Sequence, residues 1–337
     1  MTYPMYIDGR WDGGFGATKD VVNPATGKVI GQIVMGTPED VHRAVLAAQR
    51  VRKQLYDMTV FERAEMLVRI ADAIDSHHEE IAKLLSEEHG KPYREALGEI
   101  SGSALAFREC AEQIKWMDSV IVPLRERNRR CLVFHKPKGV FGIITPWNYP
   151  ISSAVVYYIA PGLAAGCPII WKPATSTAAV CSAFMKCIED AKVPAGFVSM
   201  VIGSGPVVGD ALAMHPLVVG IGFTGSTETG HRICARAAKF TMMELGGNGP
   251  SIVLKDADLE LAAEKLMRGS FTNAGQICTS TERVLVDDSV ADRLVEIMFS
   301  KMSDYVLGDP FDPKTTMGPM HLMDTVGIVL THIEDAI

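Results

Sequence analysis

From Gly139 onward the chain alternates short apolar runs with helical stretches: VFGIIT, a helix, PIIWK, a helix, VSMVI, a helix, VVGIGF, a helix, then TMMEL. No other feature limits the possible folds as strongly. Apolar runs without polar alternation are strands buried on both faces, and helices between them are crossovers on a parallel sheet. The sequence therefore predicts a doubly wound α/β domain of Rossmann type, with ligands outside the carboxyl ends of its strands. A second alternation starts at SIVL and runs through a helix around Asp258 to Asn273, the strand RVLVD and a helix from about Val290. With 337 residues there is chain enough for about two domains, each with its own core.

Upstream, NPATG reads as the turn of a β-hairpin, with Pro24 and Gly27 at the reversal. Thr37 caps a helix that starts at Pro38 and runs to about Tyr56, its first turn carrying Glu39 and Asp40. A longer helical segment sets Leu67, Ile70, Ala71, Ile74, Ile81, Leu84 and Leu85 on one face and stops at Gly90 and Pro92. A third helix spans Tyr93 to about Trp116. The following SVIVPLRERNRRCLVFHKP reads as two strands around a basic turn, and Arg125, Arg127, Arg129 and Arg130 fit a solvated tip better than an anion site. The same holds for His77 and His78 in HHEE, which lacks metal-ligand spacing. The expected boundaries are residues 1–117 with 139–245 for the doubly wound domain, 118–138 for the hairpin, and 246–337 for a second domain.

Charge excludes one class of partner: 33 basic against 40 acidic residues give −7, without the broad positive field that nucleic acid requires. Seven cysteines, an odd number without CxxC spacing, suggest neither a disulfide frame nor a metal site. No basic stretch leads into an apolar leader at the start, and no uninterrupted apolar run of about 18 residues occurs. The expectation is a cytoplasmic protein without membrane partners.

Four stretches carry possible chemistry: TPWNYP, GFTGSTETG, ELGGNGP and GQIC. GFTGSTETG follows a strand and opens a helix, so it is either a phosphate cradle built on Gly225 and Ser226 or a tight strand-to-helix turn; it lacks GxGxxG spacing. Cys278 falls on a turn between a helix and a strand, a position that modestly favours a nucleophile, although buried inert cysteine is the commoner case. Glu244 ends an apolar strand, so its carboxylate is expected to be paired or to have a raised pKa suited to a general base. Asn148 follows the strand VFGIIT, where its amide either donates to an oxyanion or simply forms a turn.

Taken in this order, the four stretches resemble the aldehyde dehydrogenase superfamily, NAD(P)-dependent and non-acylating. The resemblance extends from MYIDGRW and NPATG to GDP at Gly308 and GPM at Gly318. It implies that Cys278 is the nucleophile, Glu244 the general base and Asn148 the oxyanion donor. It implies a cofactor site for NAD or NADP built from Lys172, Thr175, Ile144, Thr145, Pro146, Trp147, Gly205, Gly225, Ser226, Leu245 and Gly246. It further implies a small aldehyde substrate, a homodimer or homotetramer at full length, and oxidation through a cysteine thiohemiacetal and a thioester. Phe271, Ile277, Thr279 and Tyr149 are the expected funnel to Cys278.

Three departures from the family pattern matter. Relatives continue through an EIFGP-type stretch and a last strand, so the resemblance implies that the second domain stops short and that residues 1–337 alone turn over poorly; an inactive fragment with a binding or assembly role is the alternative. Thr175 stands where NAD-preferring relatives carry glutamate, which favours acceptance of a 2′-phosphate. The helix after Pro150 is one residue longer than the pattern. A cysteine hydrolase is disfavoured because no histidine lies near Cys278 in sequence.

Overall fold

The computed structural model describes residues 1–14 and 16–337. Near the amino terminus come β1 (Thr2–Tyr3), β2 (Met5–Ile7), β3 (Arg10–Asp12), β4 (Thr18–Val22) and β5 (Val29–Val34). Strands β4 and β5 form the antiparallel hairpin expected around NPATG, and the Asn23 side chain accepts from the N–H of Ala25 and Thr26 to hold the turn. The hairpin of β2 and β3 was not anticipated. Its turn places Asp8 and Gly9 at positive φ (54° and 74°), the backbone twist that tight hairpins need.

Four helices follow: α1 (Pro38–Asp57), α2 (Val60–Ser76), α3 (His78–His89) and α4 (Tyr93–Gln113). Thr37 caps α1 as expected, with its N–H donating to Asp40 Oδ2 at 2.8 Å. The single long stripe expected over residues 67–85 is divided at His77, between α2 and α3. There His77 Nε2 meets Asp190 at 2.8 Å and His78 Nε2 meets Ser101 at 2.8 Å, so HHEE joins helices rather than standing free in solvent. Strands β6 (Val120–Val122) and β7 (Cys131–Val133) form the expected hairpin, its apolar residues largely exposed.

The strands expected from the alternating pattern are β8 (Phe141–Ile144), β9 (Ile169–Lys172), β10 (Val198–Met200), β11 (Gly220–Thr224) and β12 (Phe240–Glu244). Between them lie α5 (Ser152–Ala154), a π-helical turn (Val155–Ile159) and α6 (Ala160–Ala164), then α7 (Ala178–Asp190), α8 (Asp210–Met214) and α9 (Thr227–Ala237). The sheet order is β12-β11-β8-β9-β10-β2-β3, parallel from β12 to β10 and antiparallel at the β2–β3 edge. From β8 the chain steps outward through β9 and β10, then returns to the other side of β8 for β11 and β12. The β8/β11 boundary is therefore the topological switch point, where the loops leaving neighbouring strands diverge and open a crevice.

Beyond β12 come β13 (Gly249–Val253), α10 (Leu259–Phe271), β14 (Thr281–Val286), α11 (Ala291–Lys301) and α12 (Met323–Ala336). Strand β13 pairs in parallel with β14 in a separate sheet, and Val253, Ala263, Leu266, Leu294 and Ile297 form a core distinct from the large one. No helix among the described residues is long and apolar enough to cross a membrane.

Glu88, at the end of α3, is fully buried and accepts the N–H groups of Ala179 and Val180 in the first turn of α7, at 2.9 and 2.7 Å. Burial outweighs these bonds and pushes its pKa up to about 8 from 4.5. The folded chain thus keeps a proton that the unfolded chain releases, so this contribution is complete below pH 4.5 and is lost as pH rises to about 8. Thermal unfolding from pH 5 to 8.5 should show a decline that Glu88→Gln lacks; equal slopes in both proteins would refute the assignment.

Candidate active site at the switch point

The segments leaving β8, β11 and β12 at the switch point wall a cavity of about 410 Å3 together with the turn after α10. The first contributes Pro146, Trp147, Asn148 and Tyr149, the second Gly225 and Ser226, the third Leu245 and Gly246 beyond Glu244, and the turn Ile277, Cys278 and Thr279. Cys278, Glu244 and Asn148, far apart in sequence, line one space.

Cys278 is delivered by a constrained turn. Asn273, Ala274 and Gly275 all have left-handed backbones (φ 53°, 55° and 74°), a conformation that costs non-glycine residues on the order of 1–3 kcal/mol each. Several bonds impose it: Asn273 N–H donates to Glu95 at 3.1 Å, Gln276 Nε2 to the Asn273 carbonyl at 2.9 Å, and Ser280 Oγ to the Gly275 carbonyl at 3.0 Å. The turn lies just before β14, where the sequence suggested it, and the thiol on it is exposed.

Asn148 is held at both ends of its amide. Oδ1 accepts from Tyr149 N–H at 3.0 Å, and Nδ2 donates to the Gln276 carbonyl at 2.9 Å. An amide nitrogen has two hydrogens, so one N–H remains for a ligand in the cavity. Behind this loop the Lys91 ammonium, fully buried, donates to Glu99 at 2.6 Å and to the Asn148 carbonyl at 2.9 Å, and lies 4.0 Å above the Tyr149 ring. The other Glu99 oxygen accepts from Ile151 and Ser152 N–H at 3.0 and 3.1 Å. Nothing in residue spacing revealed Lys91 or Glu99, and GQIC drew attention to Cys278 rather than to Gln276; only the fold brings these three to Asn148.

A stacked trio backs the same loop: His89 on His321 with centroids 4.7 Å apart, and His321 on Trp147 at 5.0 Å. His321 N–H donates to Gln276 Oε1 at 3.0 Å, linking the stack to the turn that carries Cys278. Burial drives the His89 pKa well down, helped by Lys91, and brings His321 to about 4, so both rings are neutral near pH 7.

Glu244 departs from expectation. Its carboxylate is exposed at the cavity mouth rather than desolvated among apolar neighbours, because β12 is the sheet's edge strand and alternate residues face outward. Phe271 likewise does not line this cavity; it lines an adjoining one and packs on Tyr305. Tyr149, Ile277 and Thr279 do line it. After Pro150 the chain passes through the π-helical turn, which places Val156 and Tyr157 in the wall.

Of the expected cofactor residues, Ile144, Thr145, Lys172, Thr175 and Gly205 extend the same edge without lining the cavity, whereas Gly225 and Ser226 line it. Ile144 and Thr145 end β8 and are buried, with Thr145 Oγ1 accepting from Trp171 at 2.8 Å. Lys172 ends β9, only 6% exposed, and burial lowers its pKa to about 8. Thr175 lies in the turn after it, and Gly205 opens the helical segment after β10. Ser226 caps α9, accepting from Thr229 N–H at 3.4 Å. A β-carbon on Gly225 would stand 2.7 Å from the Phe223 ring, so only glycine keeps this backbone accessible. A buried cation, a bare turn and a helix amino terminus along one edge suit a phosphorylated dinucleotide. No group of three or more metal-ligating side chains occurs among the described residues.

The aldehyde dehydrogenase family profile matches residues 11–337. The chain is 39% identical to 3-sulfolactaldehyde dehydrogenase of Pseudomonas putida over 336 residues, covering 98% of this chain and 69% of that protein. It is 38% identical to the mitochondrial succinate-semialdehyde dehydrogenase of Arabidopsis thaliana, covering 98% and 63%. An aldehyde dehydrogenase structure from Brucella melitensis biovar abortus 2308 superposes with a TM-score of 0.96 at 34% identity, over 99% of this chain and 70% of that one. An Escherichia coli NADP-dependent enzyme matches at TM-score 0.96 and 37% identity, again over 99% and 70%. The chain thus spans roughly two thirds of these relatives' length, and with sequence and fold agreeing along it, it belongs to the aldehyde dehydrogenase family.

Proposed function

We propose that this chain oxidises an aldehyde to its carboxylic acid, with Cys278 as nucleophile, Asn148 as oxyanion donor, Glu244 as general base and NAD or NADP as hydride acceptor. The observation that carries this reading is the convergence of a thiol, an amide and a carboxylate from separate elements on one cavity at the switch point.

The thiolate of Cys278 attacks the carbonyl carbon, forming a C–S bond and placing negative charge on the oxygen. The free N–H of Asn148, with the Cys278 backbone N–H, is the donor set for that oxyanion. Because Asn148 is fixed by Gln276 and Tyr149, its donor needs no reorientation as charge develops. Re-forming the carbonyl releases hydride from the same carbon and leaves a thioester on Cys278; a nicotinamide cofactor held along Lys172, Gly225 and Ser226 would supply the two-electron acceptor for that hydride. Glu244, in contact with solvent at the mouth, then takes a proton from water. The resulting hydroxide adds to the thioester, the C–S bond breaks, and acid and thiolate separate.

Lys172 and Ser226 would hold the cofactor's ribose and phosphate portions, with Gly225 giving backbone access. Thr175 and Ser176 put hydroxyls, not a carboxylate, on the turn after β9, which accommodates a 2′-phosphate.

Cys278→Ala should abolish turnover. Glu244→Gln should keep one stoichiometric burst of reduced nicotinamide but lower steady-state kcat about 100-fold or more, and a missing burst would contradict its role after hydride transfer. Asn148→Ala should lower kcat by about 10²–10³ with a smaller effect on KM, as measured by initial rates. For the cofactor, Thr175→Glu should raise the KM for NADP relative to NAD about tenfold, since like charges would then face each other; an unchanged ratio counts against the 2′-phosphate assignment.

A further inference from the structure

Three phenols stand around the cavity that holds Cys278, and their surroundings differ. Tyr149 lies under the Lys91 ammonium, and the charges acting on its hydroxyl are those of Glu95, Glu99 and Cys278. Tyr158 is tied down: its hydroxyl meets Thr224 Oγ1 at 2.7 Å, and its ring packs so closely on β11 that a β-carbon on Gly222 would collide with it. Tyr157 is unlike both. It lines the cavity together with Cys278 and Glu244, and the charge of each acts on its hydroxyl.

The local backbone accounts for the difference. Within the π-helical turn Tyr158 is locked to β11, and this holds the preceding Tyr157 with its ring on the cavity side. The two rings meet edge to face with centroids 6.0 Å apart, which braces the outer one. Such turns recur at functional sites. Among the described residues the Tyr157 hydroxyl, the Glu244 carboxylate and the Cys278 thiol form no hydrogen bond or ion pair, although all three line one space. Burial first, and then the charges of Cys278 and Glu244, raise the Tyr157 pKa above the usual phenol value, so the hydroxyl stands in the cavity as a donor with its proton on.

We propose that Tyr157 is a further catalytic residue, whose hydroxyl holds the water that Glu244 deprotonates during hydrolysis of the thioester. This rests on the oxidation proposed for the same cavity. A water oxygen offers two hydrogens and two lone pairs. One hydrogen goes to Glu244, one lone pair accepts the Tyr157 O–H, and the other lone pair is left facing the thioester carbon. As the proton passes to the carboxylate, that lone pair forms the C–O bond; the C–S bond then breaks and its electron pair returns to Cys278. Tyr157 keeps its own proton throughout. It therefore acts on hydrolysis and not on the hydride step, because water is oriented for attack only once the thioester exists.

Tyr157→Phe removes only an unpartnered hydroxyl and should fold as the unaltered chain does. With an aldehyde and NADP, its first turnover should release reduced nicotinamide within about twofold of the unaltered rate, while the steady-state rate falls about tenfold, as loss of one hydrogen bond to a reacting water predicts. In the Glu244→Gln background the same substitution should change the steady-state rate by less than about twofold, since both residues act on one water. A second readout needs no cofactor: p-nitrophenyl acetate acylates Cys278 with release of p-nitrophenolate, and Tyr157→Phe should keep the initial burst while slowing the steady release about tenfold. An unchanged steady-state rate, an equal loss in the first turnover, or independent effects of the two substitutions would overturn the role of Tyr157 and leave the oxidation standing. Slowed ester hydrolysis in a chain that oxidises no aldehyde would keep that role and refute the oxidation; no acylation of Cys278 by either substrate would refute both.

Discussion

The candidate site depends on an ion pair that solvent does not reach. Lys91 and Glu99 are completely buried, and taking both charges out of water is costly unless each finds further partners. They do: the ammonium also holds the Asn148 carbonyl and faces the Tyr149 ring, and the carboxylate collects two backbone N–H groups from Ile151 and Ser152. Every one of those partners belongs to the segment that leaves β8. The pair therefore spends its bonding capacity on fixing one loop. Removing either member would strand the other charge in a dry interior, a loss of about 3–5 kcal/mol in comparable cases.

What that loop meets is a turn with little freedom of its own. Two non-glycine residues in succession adopt left-handed backbone, which persists only where surrounding bonds over-determine it. Gln276 supplies the join: its carbonyl receives the Asn148 amide, its side chain bonds Asn273 and receives the N–H of His321. The stacked rings of His89, His321 and Trp147 press on the same junction. Amide and thiol are thus positioned against each other by one shared set of contacts, which is the preorganisation that charge development at a fixed carbon requires. Glu244 is set apart on the edge strand, exposed to water, which is compatible with the base role proposed for it.

Particular elements show how far residue order alone reached. The five parallel strands were legible as uninterrupted apolar runs, which two-sided burial explains for β8 to β11 but not for β12 at the edge. The caps at Thr37 and Gly90 were legible because few residue types suit a helix start and glycine readily takes the left-handed backbone that ends one. The β2–β3 edge was not, since three-residue strands carry too few positions for a period to show. The break at His77 was hidden because the apolar stripe continues in phase across it. Glu244 was misjudged for a related reason: an apolar strand in sequence does not reveal whether it lies at the centre or the edge of the sheet.

By itself the amino-acid order determined the alternation of strand and helix, and with it a sheet whose carboxyl edge gathers ligands, because burial periodicity is a local property of the chain. It also singled out Cys278, Asn148 and Glu244 through short motifs at strand and helix ends. Only the tertiary structure decided that these three share a space, that Lys91 and Glu99 stand behind one of them, and that Tyr157 lines the same cavity. Those relations join positions up to hundreds of residues apart, and no local spacing encodes a contact that exists only after crossovers have fixed which strands are neighbours.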